Sequence, residues 1–185
     1  MVLDIYRRPV YLTSVVSDRT TKERILDAAE TIMLEKSFHS VGLNEILRSV
    51  KVPKGSFYHY FESKEQFGVE LLRHYVANAT AYKRSMLLSP AADPDRLRRL
   101  ITYLESNVAK LCASQGKCPC LVVKLASEVA DMSESMREVL AAGQEQWAGL
   151  MEEFLREGIQ NGTINPSVDP HHMAPVIWDL WTGAM

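Results

Sequence analysis

A chain of 185 residues is long enough for one or two domains and a substantial core, and its 46% hydrophobic and 24% charged residues exclude a mainly disordered polymer. A formal net charge of -2 excludes bulk electrostatics as the basis for holding nucleic acid, so any such role must rest on local charge. Three cysteines, clustered between Cys112 and Cys120, do not make the disulfide framework of a secreted domain and fit a reducing cytoplasm, and no run has the apolar length of a membrane span.

Residues 1–19 read as a poorly ordered N-terminal arm, interrupted by Asp4, Arg7, Arg8, Pro9 and Asp18 and lacking the apolar core of a signal peptide. Beyond them strand signals are scarce and apolar residues recur at helical spacing, which predicts an all-α protein. A first helix opens at Thr20, where Glu23 completes a capping box, sets Ile25, Ala28, Ala29, Ile32 and Met33 on one face, and stops near Ser37. A short second helix spans Leu43 to Val50, and Lys51, Val52 and Pro53 interrupt it before a third over Lys54 to Tyr60. Ser63 with Gln66 forms another capping box, opening a long helix through Phe67, Leu71, Tyr75, Ala79, Tyr82 and Met86. The clearest linker follows Ser89, with Asp93 and Pro94 as the cap and first turn of a helix ending near Gln115. A shorter helix over Pro119 to Ala130 precedes a long one from Ser133 to about Gln160, which Asn161 and Gly162 terminate. Asp169 and Pro170 open a last helix whose pattern is still apolar at Met185, so the final helices read as incomplete. The predicted organisation is a helix-turn-helix domain over residues 20–66 and a helical regulatory and dimerisation domain over residues 67–185.

Charge is unevenly spread. Between Arg48 and Lys64 the cations Arg48, Lys51, Lys54 and Lys64 are opposed only by Glu62. The stretch VPKGSFYHYF, Val52 to Phe61, adds a Gly, a Ser, a His and four aromatics within ten residues. Phe57 and Phe61, four apart, pin the third helix to a core. Gly55 permits close backbone approach, and Lys54, Ser56, Tyr58 and His59 face outward. The spacing matches a helix-turn-helix, whose second helix enters the DNA major groove while neighbouring groups hold phosphates. The competing reading is a structural hairpin with a solvated basic face, serving a helical adaptor.

The run from Thr21 to Val76, with its ILDAAE, GSFYHYF and SKE elements, resembles the DNA-binding domain of the TetR family of transcriptional regulators, and the all-helical remainder resembles that family's ligand-binding domain. By that resemblance Lys54, Gly55, Ser56 and His59 read bases, Tyr58, Tyr60 and Lys64 contact phosphates, and Asn44 is a further groove-facing residue. Gly42 stands where the family usually has a Thr cap, and Lys51 replaces a common turn Gly. The implied protein is a homodimer on double-stranded operator DNA, released by a small-molecule inducer or reactive electrophile, with no cofactor and no membrane partner. The implied dimer interface is helical, and the apolar face Val176, Ile177, Leu180 and Trp181 is its expected seam.

Cys120 is placed in the first turn of its helix, with Lys117 and Lys124 near in sequence. A helix N-terminus and ammonium groups favour the reactive thiolate, so Cys120 is a candidate sensor, with Cys118 and Cys112 as resolving partners. The alternative is that all three are small buried hydrophobes. The run from Cys120 to Arg137 resembles the NemR- and AcuR-like branch of the family, whose members respond to reactive electrophiles or small unsaturated acids. Its helix is expected to abut the long helix that runs into the DNA-binding half. Tyr103, Trp147, Trp178 and Trp181 are candidates for an apolar pocket, or core. His171 and His172 do not read as a metal site, because adjacent helical residues point about 100 degrees apart. A different class, a thiol-dependent enzyme using Cys120, would need a base such as His74 beside the thiol.

Overall fold

The computed structural model describes residues 20–89, 95–114, 118, 120–129 and 133–183. Among them are eight α-helices and no strand: α1 Thr21–Glu35, α2 Leu43–Ser49, α3 Lys54–Tyr60, α4 Lys64–Leu87, α5 Arg96–Ala113, α6 Leu121–Val129, α7 Glu134–Gln160 and α8 Pro170–Gly183. The fold class is the all-α one that the periodicity predicts. The N-terminal arm and the Asp93–Pro94 opening lie outside the described residues.

Local chemistry accounts for most helix ends. The Thr20 hydroxyl oxygen accepts from the Glu23 N–H while the Glu23 carboxylate accepts from the Thr20 N–H at 2.7 Å and from the Thr20 hydroxyl at 3.0 Å, and these two donors hold the Glu23 carboxyl below its ordinary pKa. The second box is only half made. Ser63 Oγ accepts from the Gln66 N–H at 3.0 Å, but Gln66 Oε1 is buried without a hydrogen bond, so the return to Ser63 is missing. Asp95 caps α5 through the Arg98 N–H. The α6 helix begins at Leu121, so Cys120 is the residue before it and not part of its first turn, its carbonyl accepting from the Lys124 N–H at 3.0 Å.

The helices fall into two compact units, one drawn from Met1–Ala77 with Lys117–Leu140 and the other from Asn78–Gly116 with Ala141–Met185. A division at residue 66 therefore cuts across the first unit, which takes in α6 and the start of α7. There α6 packs on α1. Lys124 Nζ donates to the Leu34 carbonyl at 2.9 Å, and Glu128 Oε2 accepts from the Phe38 N–H at 2.7 Å. One turn apart on α6, these two side chains clasp the end of α1 and the turn after it. Ser133 caps α7, accepting from the Met136 N–H, and donates to Glu65 Oε1 at 2.6 Å.

In the second unit Leu87, Tyr103, Leu150, Met151, Phe154, Leu155 and Ala174 form a buried cluster. Arg99 is buried beneath it and donates to the Leu87 carbonyl at 2.7 Å, satisfying the end of α4. The α7 helix ends in a Schellman turn: Gly162 has φ 76°, with Thr163 N–H bonded to Gly158 O and Gly162 N–H to Ile159 O.

Two glycines inside α7 carry opposite expectations. At Gly149 an added Cβ meets nothing within 4 Å, so Gly149→Ala should stabilise by about 0.5–1 kcal/mol through helix propensity. At Gly158 the added Cβ would lie 2.4 Å from Ile164 Cδ1 and 2.7 Å from its Cγ1. The overlap outweighs propensity, and Gly158→Ala should destabilise by about 1–3 kcal/mol. Urea denaturation of the two variants reads the difference in sign.

Candidate nucleic-acid interface and sensor segment

The α2 helix ends as a Schellman turn with an unusual occupant. Val52 N–H bonds Leu47 O, Lys51 N–H bonds Arg48 O, and Lys51, at φ 56°, fills the left-handed position that normally takes Gly. Arg24 on α1 donates to the Val50 carbonyl at 2.8 Å, tying the turn to the helix behind it. Pro53 then supplies the extended residue before α3.

At seven residues α3 is too short to persist alone, so its packing decides its existence. Phe57 and Phe61 are buried, with ring centroids 4.9 Å apart, and each meets Phe67 at 5.3 Å and 5.0 Å. That three-ring cluster fixes the helix's rotation. Lys54, Gly55, Tyr58 and His59 are therefore exposed, while Ser56 and Tyr60 sit half-buried at the edges of the face. Tyr58 is 60% exposed despite its large ring, and no atom lies within 4 Å of where a Gly55 Cβ would stand. Lys64 is exposed with its ammonium 5.2 Å from the Phe38 ring centroid, and Asn44 is exposed near the start of α2. Gly42 caps α2 without a side-chain hydrogen bond, as its lack of a hydroxyl requires. The resulting face is basic, aromatic and hydroxyl-bearing, with open space in front of the Gly55 backbone.

The sensor candidates separate by exposure. Cys120 is buried at the head of α6, Cys118 is half-buried, Cys112 is exposed near the end of α5, and all three are free thiols. Cys118 Sγ donates to the Cys120 carbonyl at 3.4 Å, and burial pushes its thiol above the ordinary pKa. The Lys124 ammonium is bonded to Leu34 O on α1, and its charge opposes the effect of burial on the Cys118 thiol. The α6 helix itself abuts α1. His74, the base that a thiol enzyme would need, is hydrogen-bonded to Asp27 Oδ1 at 2.8 Å.

All four aromatic pocket candidates line one cavity: Tyr103, Trp147, Trp178 and Trp181, with Leu104, Leu150 and Ile177. Its free volume of about 30 Å³ has room for a water-sized guest or two. Tyr103 and Trp147 are also core, only 6% and 2% exposed. Trp147 Nε1 donates to Thr80 Oγ1 at 2.8 Å, and the Lys83 ammonium stands 3.7 Å from the Trp147 ring centroid. Beside this cavity Ile177 and Trp181 are half-buried on α8. The apolar residues it leaves exposed are Met173, Val176 and Leu180, a stripe at helical spacing. Among the described residues no three His, Cys, Asp or Glu side chains are grouped to hold a metal, and no helix is long and apolar enough to cross a membrane.

Comparison with known proteins covers both units. Residues 25–71 match the family model of bacterial regulatory proteins of the tetR family, and residues 94–185 match the tetracyclin repressor-like C-terminal domain. The HTH-type transcriptional repressor NemR of Escherichia coli K12 is 36% identical over 169 residues, covering 91% of this chain and 83% of NemR. The transcriptional regulator AcuR of Cereibacter sphaeroides is 33% identical over 154 residues, covering 83% of this chain and 69% of AcuR. The crystal structure of the reduced form of E. coli NemR superposes with a TM-score of 0.77 at 34% identity, covering 89% of this chain and 84% of that one. A TetR regulatory protein from Rhodobacter sphaeroides gives 0.76 at 30% identity, covering 88% and 85%.

Proposed function

The chain belongs to the TetR family of bacterial transcriptional regulators, and from that premise we propose that it is a repressor whose α3 reads an operator, released when a small molecule or electrophile acts on its helical half. The observation that carries the reading is the division of α3 into a buried Phe57 and an exposed Lys54, Gly55, Tyr58 and His59. A helix so anchored presents its N-terminal residues to base edges, and flanking amines and hydroxyls hold the backbone. Ser56 and His59 have the hydrogen-bonding capacity to discriminate bases, and Lys64 is a phosphate contact.

One α3 reaches only a few base pairs, so the binding unit is a two-fold dimer on two half-sites. The exposed stripe Met173, Val176 and Leu180 supports α8 as its seam.

A duplex selected by the protein from a random-sequence pool provides the test. Lys64→Ala should weaken all sequences alike and lower the salt dependence by about one phosphate, whereas Ser56→Ala with His59→Ala should relax preference by about 1–3 kcal/mol at the bases they read. An unchanged selected sequence in the double variant would remove α3 from the groove.

For the signal, Cys118 offers access and Cys120 lies buried behind it at the head of α6. The similar NemR structure is of a reduced form, and oxidation of a thiol is one form the signal takes in this reading. The second reading is a reversible ligand among Tyr103, Trp147, Trp178 and Trp181, which line a cavity of about 30 Å³ that would have to widen to admit it.

A further inference from the structure

Three basic side chains among the described residues make no ion pair, hydrogen bond or ring contact: Arg48, Lys51 and Lys54. Every other described lysine and arginine has one. The three fall within seven residues, spanning the end of α2, the turn and the start of α3, and all are exposed. Uncompensated cations this close repel one another unless an anion arrives.

Backbone conformation sharpens the case at Lys51. It is the one non-glycine residue with positive φ among the described residues. A glycine would occupy the left-handed position without steric cost, whereas a lysine is strained there. A charged side chain is thus kept where the backbone favours none. Arg48 has a partial structural reason, since a cation in the last turn of α2 complements the helix dipole. Lys51 has no such reason.

In a helix-turn-helix the first helix crosses the sugar-phosphate backbone while the second lies in the groove, so the end of α2 and the turn run beside a phosphate strand. We propose that Arg48 and Lys51 extend the operator surface beyond α3, each holding a backbone phosphate on the α2 side of the turn. This rests on the operator reading above. It assigns affinity and salt dependence to these two residues, and no sequence preference.

The test uses the full chain and a labelled duplex selected from a random pool by the wild-type protein. Lys51→Gly should raise the melting temperature by about 2–4 °C through relief of strain, yet weaken the duplex complex about 5- to 10-fold near 0.1 M salt and lower the slope of log affinity against log salt by about 0.9. Lys51→Gln should lose the same affinity and slope with no rise in melting temperature, because it keeps the strain and removes the charge. Arg48→Gln should lose a further slope of about 0.9 with the selected sequence unchanged. Lys110→Gln, a charge change on α5, should leave affinity and slope as in wild type. Wild-type affinity and slope in both Lys51 variants, with Lys64→Ala still weakened, would overturn this inference and leave the operator reading standing. Failure of the wild-type protein to select any duplex would overturn both.

Discussion

Phe57→Ala is expected to destabilise the first unit by about 3–5 kcal/mol and to abolish operator binding, the largest effect of any single substitution in the interface. The ring is 2% exposed and meets Phe61 at 4.9 Å and Phe67 at 5.3 Å, so its removal leaves a cavity between two aromatic neighbours that are themselves buried. The α3 helix has little else to hold it. It is seven residues long and has no side-chain hydrogen bond at its N-cap Pro53. A loss of this size is comparable to a large part of the total stability of a typical domain, about 5–15 kcal/mol, so the helix and the face it presents should be lost together. Phe57→Leu keeps most of the volume and should cost less, retaining weak binding. Thermal denaturation by circular dichroism, beside anisotropy of a selected duplex, separates this from His59→Ala, which should alter sequence preference at wild-type stability. A Phe57→Ala protein that melts like wild type would show that α3 is positioned by something other than the three rings.

Features governed by a few neighbouring residues were legible in the sequence. The Thr20 box is a contact between residues three apart, and the limits of α3 at Lys54 and Tyr60 follow from Pro53 before it and the Phe57–Phe61 spacing. Ser63 and Gln66 show where local reading stops, since burial of Gln66 turns its side chain away from the box. The clasp of α6 on α1 was invisible, because it joins residues ninety positions apart. Periodicity marks Lys124 as a polar position on an apolar helix; only tertiary structure says that its ammonium bonds the Leu34 carbonyl and not a thiol. The α8 helix is apolar on more than one face, and a pattern of that width does not say that Ile177 and Trp181 line the cavity. The significance of Lys51 was half legible: its sequence position marks the turn, but its left-handed conformation does not show until the chain is folded.

Alkylation of Cys118 is expected to lower operator affinity by about 100-fold or more, with Cys118→Ser resistant and Cys120→Ser still responsive. Access decides between the two thiols, because Cys118 is half-buried and Cys120 is buried. Burial also holds the Cys118 pKa above its ordinary value, so the thiolate is a small fraction at neutral pH and the reaction rate should rise about tenfold per pH unit from 7 to 8. An adduct removes the thiol donor from the Cys120 carbonyl, the same oxygen that accepts the first backbone bond of α6 from Lys124. It also adds volume ahead of α6, whose Leu121, Val122 and Leu125 are each 0% exposed, and a close-packed helix answers crowding at its start by discrete repacking. The helix that shifts carries Lys124 and Glu128, whose bonds to Leu34 O and Phe38 N–H hold the end of α1 and the approach to α2. Hydrogen bonds to charged groups are worth about 1.5–3 kcal/mol each, so losing both spans about 3–6 kcal/mol. Moving a population from nearly all competent to nearly all released takes about 5.5 kcal/mol, within that range. The double variant Lys124→Met with Glu128→Leu should therefore bind weakly before treatment and lose little more after it, although mass spectrometry shows the adduct formed. Equal release of wild type and Cys118→Ser by the same electrophile would take Cys118 out of the switch, and release by an unreactive ligand that quenches tryptophan fluorescence would place the signal in the Trp147 cavity.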